Sequence, residues 1–102
     1  MAPKRRILFY DHDTYGIQGV APDGSNRRTV IPGDPRYNRY SNKAFWSPSG
    51  ANVVYLWSVS PKNQTSQWSH DTYRATSSGA NPVNLTGDFD DAAYPLGWGA
   101  AE

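Results

Sequence analysis

The chain has 102 residues, ten basic and nine acidic, with a formal net charge of +1. That is one domain's worth of sequence, and its charge balance gives no strong field for nucleic acid or an anionic membrane surface. The absence of cysteine excludes disulfides and thiolate chemistry, and no run approaches the roughly 18 apolar residues of a membrane-spanning helix.

Nine Gly, eight Pro and an aromatic content of 14%, with no long apolar run, point to an all-β protein with many turns. The basic clusters Lys4-Arg5-Arg6 and Arg27-Arg28 are too short for phosphate tracking and read as edge or turn charges. The N-terminus is basic, but Asp11-His12-Asp13 interrupts any apolar stretch of a signal peptide. As written the chain is expected in the cytoplasm, or outside it if a leader has been removed.

In chain order, Ile7-Leu8-Phe9-Tyr10 predicts a strand and Ile17 to Val20 a second. Pro22 to Asn26 (PDGSN) is a tight turn, because Asp-Gly supplies the positive φ that a hairpin turn demands. Arg28 to Ile31 is a third strand, and Pro32 to Asn42, rich in Pro, Gly and Asn, is expected as a loop. Ala44-Phe45-Trp46 ends in SPSG and pairs with Val53 to Trp57. Ser58 to His70 is a long polar loop. Thr72 to Thr76, the turn SSGAN and Val83 to Thr86 follow. GDFDD (Gly87 to Asp91) is a loop, and Tyr94 to Trp98 is a last strand. Eight short strands in a meander result.

The order repeats. Gly24, Asn26 and Val30 lie over Gly79, Asn81 and Leu85; Ile7-Leu8-Phe9 over Val53-Val54-Tyr55; Trp46 over Trp98. A four-strand period of roughly 50 residues is the signature of propeller blades. HDTY occurs at 12–15 and at 70–73 in a conflicting register. The glycine register is preferred, because turn glycines fix backbone geometry.

The segment WSPSGANVVYL resembles the W-S-P-D-G-x-x-I-x-F element of TolB-like (WD40-like) β-propeller repeats. APDGSNRRTV and TSSGANPVNLT resemble its N-A-D-G-S-N-x-x-x-L-T element. Ser49 and Ser78 stand where the family has Asp, and GWGAAE replaces the last W-S-P-D-G. The resemblance covers nearly the whole chain and bears on fold more than on function. It implies two four-stranded antiparallel blades, with strands B to D of the first at about 6–31 and strands A to D of the second at about 43–86. A lone strand A of a further blade then falls at about 93–98.

An unpaired strand recruits another, so the chain is expected to assemble head to tail with strand exchange. The favoured result is a six-bladed ring of three copies, and the second an eight-bladed ring of four. The interface residues are Ile7, Phe9, Tyr94, Leu96 and Trp98. The alternative is a piece of a longer propeller protein or hydrolase.

The long connections share one face of such a ring, and that loop-rich face is the expected binding surface. Its candidate contact residues are Asp13, Arg36, Tyr37, Tyr40, Trp68, His70 and Asp90, a Tyr/Trp/Arg chemistry suited to a protein partner. A lectin-like alternative has Trp68, Trp57 and Tyr40 stacking on sugars.

No catalysis is expected. The only histidines are His12 and His70, there is no G-x-S-x-G elbow, and the neighbouring Asp13 and Asp71 would point away from them in a strand. Asp88, Asp90 and Asp91 read as solvated loop charges rather than a carboxylate pair. DHD and DFDD lack the ligand number of a calcium loop, so neither metal nor cofactor is expected. Asn63-Gln64-Thr65 is a glycosylation sequon, meaningful only in a secreted eukaryotic chain.

Overall fold

The structure, a computed structural model, describes residues 6–34, 36–61, 68–88 and 92–98. Among them there is no helix, and so none long and apolar enough to cross a membrane. The chain is all-β and antiparallel, in two sheets.

Sheet I is the meander β1 (Ile7–Asp11), β2 (Gly16–Val20) and β3 (Arg28–Ile31). Sheet II contains β4 (Tyr37–Tyr40), β5 (Ala44–Trp46), β6 (Asn52–Pro61), β7 (Ser69–Thr76) and β8 (Val83–Asn84). Both β4 and β5 lie on one edge of β6, β4 against Ser58–Pro61 and β5 against Val53–Tyr55. They act as one interrupted strand, and the Leu56 N–H bridges the break by donating to the Lys43 carbonyl (2.9 Å).

Two expectations are corrected. Pro32 to Asn42 is not wholly a loop, because Tyr37–Tyr40 pairs with the far end of β6. Its Pro, Gly and Asn signals are local, whereas the ten-residue template of β6 is a tertiary feature. The polar segment Ser58 to His70 contributes residues to β6 and β7 at its two ends. Tyr94 to Trp98, expected as a lone strand that pairs only with a neighbouring copy, joins no ladder within the chain.

Period-two alternation sorts the side chains. On β6, Val53, Tyr55, Trp57 and Val59 face sheet I, and Val54, Leu56 and Ser58 face away. On sheet I, Leu8, Tyr10 and Ile17 face sheet II. A register shift after Ile17 gives β3 an extra residue, so that Val30 and Ile31 both reach the core. Ile17, Val30, Ile31, Val53, Tyr55, Trp57 and Ala75 form one buried cluster between the sheets. Tyr55 stacks on Tyr73 (5.7 Å, 18°) and meets Trp57 edge-on (5.6 Å, 85°).

The turns carry the internal repeat down to single hydrogen bonds. Gly24 and Asn26 have φ of 88° and 55°, and Gly79 and Asn81 have 85° and 53°. In the first turn the Ala21 N–H donates to Ser25 and the Gly24 N–H to Ala21. In the second, Thr76 donates to Ala80 and Gly79 to Thr76. The ladders agree: Ile7 faces Val20, and their counterparts Val53 and Ala75 face each other. The HDTY match is accidental, because Tyr15 sits in a turn at φ 58° and Tyr73 lies in β7.

Candidate functional site

The far side of sheet II carries Val54 and Leu56 on β6 and Thr72 and Arg74 on β7. Residues 92–98 cross it without joining a ladder. The crossing is held at both ends. Ala93 donates its N–H to the His70 carbonyl (2.9 Å) and accepts from the Thr72 hydroxyl (3.1 Å). The Trp98 indole donates to the Phe45 carbonyl (3.3 Å). Its repeat partner Trp46 donates to the Arg6 carbonyl (2.7 Å), so each indole ties a following segment to a preceding sheet.

A pocket of about 410 Å³ opens on this side, lined by Tyr40, Asn42, Leu56, Ser58, Trp68, His70 and Tyr94. The β4–β6 and β6–β7 ladders set Tyr40 and His70 each opposite Ser58, so all three share a face. The Ser58 hydroxyl lies 2.7 Å from His70 Nδ1. The His70 ring lies 5.7 Å from the Tyr94 ring at a 30° tilt. Tyr40 and Trp68 stand at the rim, 46% and 42% exposed. The lining carries no Asp, Glu, Lys or Arg among the described residues.

Of the residues expected on the binding face, Tyr40, Trp68 and His70 therefore come together, and Tyr94 joins them from the expected interface set. Asp13, Arg36 and Tyr37 are not in the pocket. Asp13 is exposed in the β1–β2 turn, its N–H on an Asp11 carboxylate oxygen (3.0 Å). Arg36 is bound to Asp34 (2.8 Å) and lies over the Tyr37 ring (5.6 Å). Asp90 lies outside the described residues, as does Asn63-Gln64-Thr65. Trp57, a candidate sugar platform, is buried in the core beneath the Arg39 guanidinium (5.3 Å) and is unavailable. Sequence reasoning missed Leu56, Ser58 and Asn42 as lining; the two-residue alternation of β6 carried through Ser58 was the signal that could have found the first two.

The interface candidates divide between faces. Ile7 (55% exposed) and Phe9 lie on the outer side of sheet I, where the Arg27 guanidinium covers the Phe9 ring (5.2 Å). Beside them Gln18 donates to the Asp11 carboxylate (2.7 Å) and accepts from Arg27 (2.6 Å). Tyr94, Leu96 and Trp98 lie along the crossing segment, and Leu96 is 90% exposed.

The Tyr10 hydroxyl donates to the Arg39 carbonyl, and burial, then Tyr15, Tyr40 and Asp11, pushes its phenol up. Burial and then Tyr73 push the Tyr55 phenol up to about 12, which Arg39 and Trp57 only partly offset. Among the described residues no cluster of three or more His, Asp or Glu could hold a metal. No protein-family model matches the chain, and no curated protein or solved structure matches it.

Proposed function

We propose that the chain is a non-enzymatic binding module built as two β-propeller blades of the TolB-like kind. It assembles head to tail into a ring and binds a protein partner on its loop-rich face. One observation carries the assembly: the side of sheet II facing away from the core is the repeat counterpart of the side of sheet I that is already covered.

The ladder register lays Leu8 and Tyr10 over Val54 and Leu56. Leu8 and Tyr10 pack against sheet II, whereas Val54 and Leu56, themselves buried, lie on a side crossed by residues 92–98 and flanked by two pockets rather than by a second sheet. Likewise Ile7 and Phe9, on the open side of sheet I, lie over the core residues Val53 and Tyr55. A second copy offering its Ile7 side to the Val54 side would repeat the contact made within the chain. Such a contact is heterologous and closes into a ring or runs on. It would be partly polar, since Asp11 and Gln18 lie over Trp57 and Tyr73.

Three copies and six blades is the favoured closure, and four copies the second. The non-enzymatic reading draws on the Ser58–His70 pair, for which the described residues supply no orienting carboxylate in the pocket. The sugar-binding alternative keeps Tyr40 and Trp68 but loses Trp57.

Native mass spectrometry of the 102-residue chain tests the assembly. The expected spectrum has a sharp species at three times 11.3 kDa. A folded monomer at micromolar concentration would overturn the ring and favour a piece of a longer propeller.

A further inference from the structure

Two copies of one turn have different surroundings. The SSGAN turn of sheet II lies on β3 of sheet I, where a Cβ at Gly79 would fall 1.8 Å from the Val30 carbonyl oxygen. The PDGSN turn of sheet I has the same positive φ at its glycine and the same backbone hydrogen bonds. Yet a Cβ at Gly24 meets nothing within 4 Å.

The receiving strand shows the same inequality. The pairs Gln18↔Thr29 and Gly19↔Arg28 of sheet I recur at a constant offset as Tyr73↔Asn84 and Arg74↔Val83 of sheet II. Continuing that register by one residue puts Leu85, just past β8, in the place of Val30. Val30 is buried, in one cluster with Val53 and Ala75. Leu85 is 46% exposed and borders a cavity of about 350 Å³ together with Val54, Arg74 and Trp98. The ladder counterparts of Val53 and Ala75 are Ile7 and Val20. In a second copy placed by the same contact, Ile7 and Val20 fall over this cavity. A contact made once inside the chain therefore leaves both of its surfaces over, the turn in sheet I and the strand end in sheet II.

We propose that the PDGSN turn of one copy seats on the strand end at Leu85 of the next, repeating between copies the contact of Gly79 with Val30. The proposal rests on the head-to-tail assembly reading and adds to it a contact outside the set Ile7, Phe9, Tyr94, Leu96 and Trp98. A carbonyl facing the turn requires glycine there, so position 24 needs glycine in the assembly and only a positive φ in the single chain.

The test is native mass spectrometry of the full chain and of two variants, with far-ultraviolet circular dichroism to verify the fold. Gly24→Asn keeps the positive φ that Asn26 and Asn81 already hold and adds a side chain to the seating turn. Leu85→Arg changes the exposed receiving end. Each variant should raise the concentration for half-dissociation about tenfold or more, as overpacking of a close contact does. Mixing the two separates this contact from a general defect. The Leu85→Arg chain keeps an intact turn and the Gly24→Asn chain an intact strand end, so the mixture should give pairs holding one copy of each and stop there. If one variant fails to fold, the other decides. Variants that assemble as the parent chain does remove this contact and leave the ring standing. A mixture without mixed pairs likewise overturns it. A parent chain that stays monomeric removes the assembly reading and this contact together.

Discussion

Gly24 and Gly79 occupy the same place in two copies of one turn, at φ 88° and 85°, yet they are not equally replaceable. A Cβ on Gly24 meets nothing within 4 Å, whereas on Gly79 it would lie 1.8 Å from the Val30 carbonyl oxygen. Gly24→Ala should cost only the left-handed strain, about 1–2 kcal/mol. Gly79→Ala adds a backbone clash and should cost at least about 2 kcal/mol more. Urea denaturation of the two variants measures the difference, and equal losses would contradict the packing of this turn against β3.

The aspartates of the turns give a second residue-scale expectation. The Asp13 backbone N–H holds the Asp11 carboxyl below its ordinary value, the Ser25 hydroxyl does so for Asp23, and the Arg36 side chain does so for Asp34. The folded chain therefore binds fewer protons than the unfolded chain, whose carboxyls titrate near 3.9. The stability from these groups is fully present above that value and is lost as pH falls through the lowered folded values. Thermal unfolding midpoints should be flat from about pH 7 to 5 and fall below about pH 4. The slope should be shallow and weakened by salt, because solvent screens these groups. A midpoint that rises on acidification would contradict the turns drawn here.

At the scale of elements, β6 organises the molecule. One side of it builds the core with sheet I and the other builds the pocket, so its alternation decides both. Because the buried cluster draws on β2, β3, β6 and β7, the two sheets should unfold together. Ile17→Ala should cost about 2–5 kcal/mol while near- and far-ultraviolet circular dichroism still change in one coincident transition. Two separated transitions would mean that the sheets are independent. Strand positions were largely legible, because Ile7–Tyr10, Arg28–Ile31 and Ala44–Trp46 are apolar bursts between strong turn signals. Tyr37–Tyr40 was not. Its neighbours are loop formers, and it is a strand because the far end of β6 gives it hydrogen-bond partners from a distance in sequence.

At the scale of the whole molecule, the open sides of the two sheets lead to a prediction about assembly. Ile7→Asp places a charge on an exposed side chain outside the core, so the fold should keep its stability while the trimer is lost. An unaltered oligomer would show that sheet I's outer side is not the contact.

The sequence by itself determined the β class, the tight turns and the internal repeat. Each follows from local rules: alternation, the positive φ that Gly and Asn tolerate, and the spacing of like residues. Only the tertiary structure decided that Tyr40, Trp68, His70 and Tyr94 share one pocket while Asp13, Arg36 and Tyr37 stand apart, and that Trp57 belongs to the core. The reason is that membership of a pocket depends on which side of β6 a residue shares. That side is fixed by cross-strand register between distant segments, which no local pattern encodes.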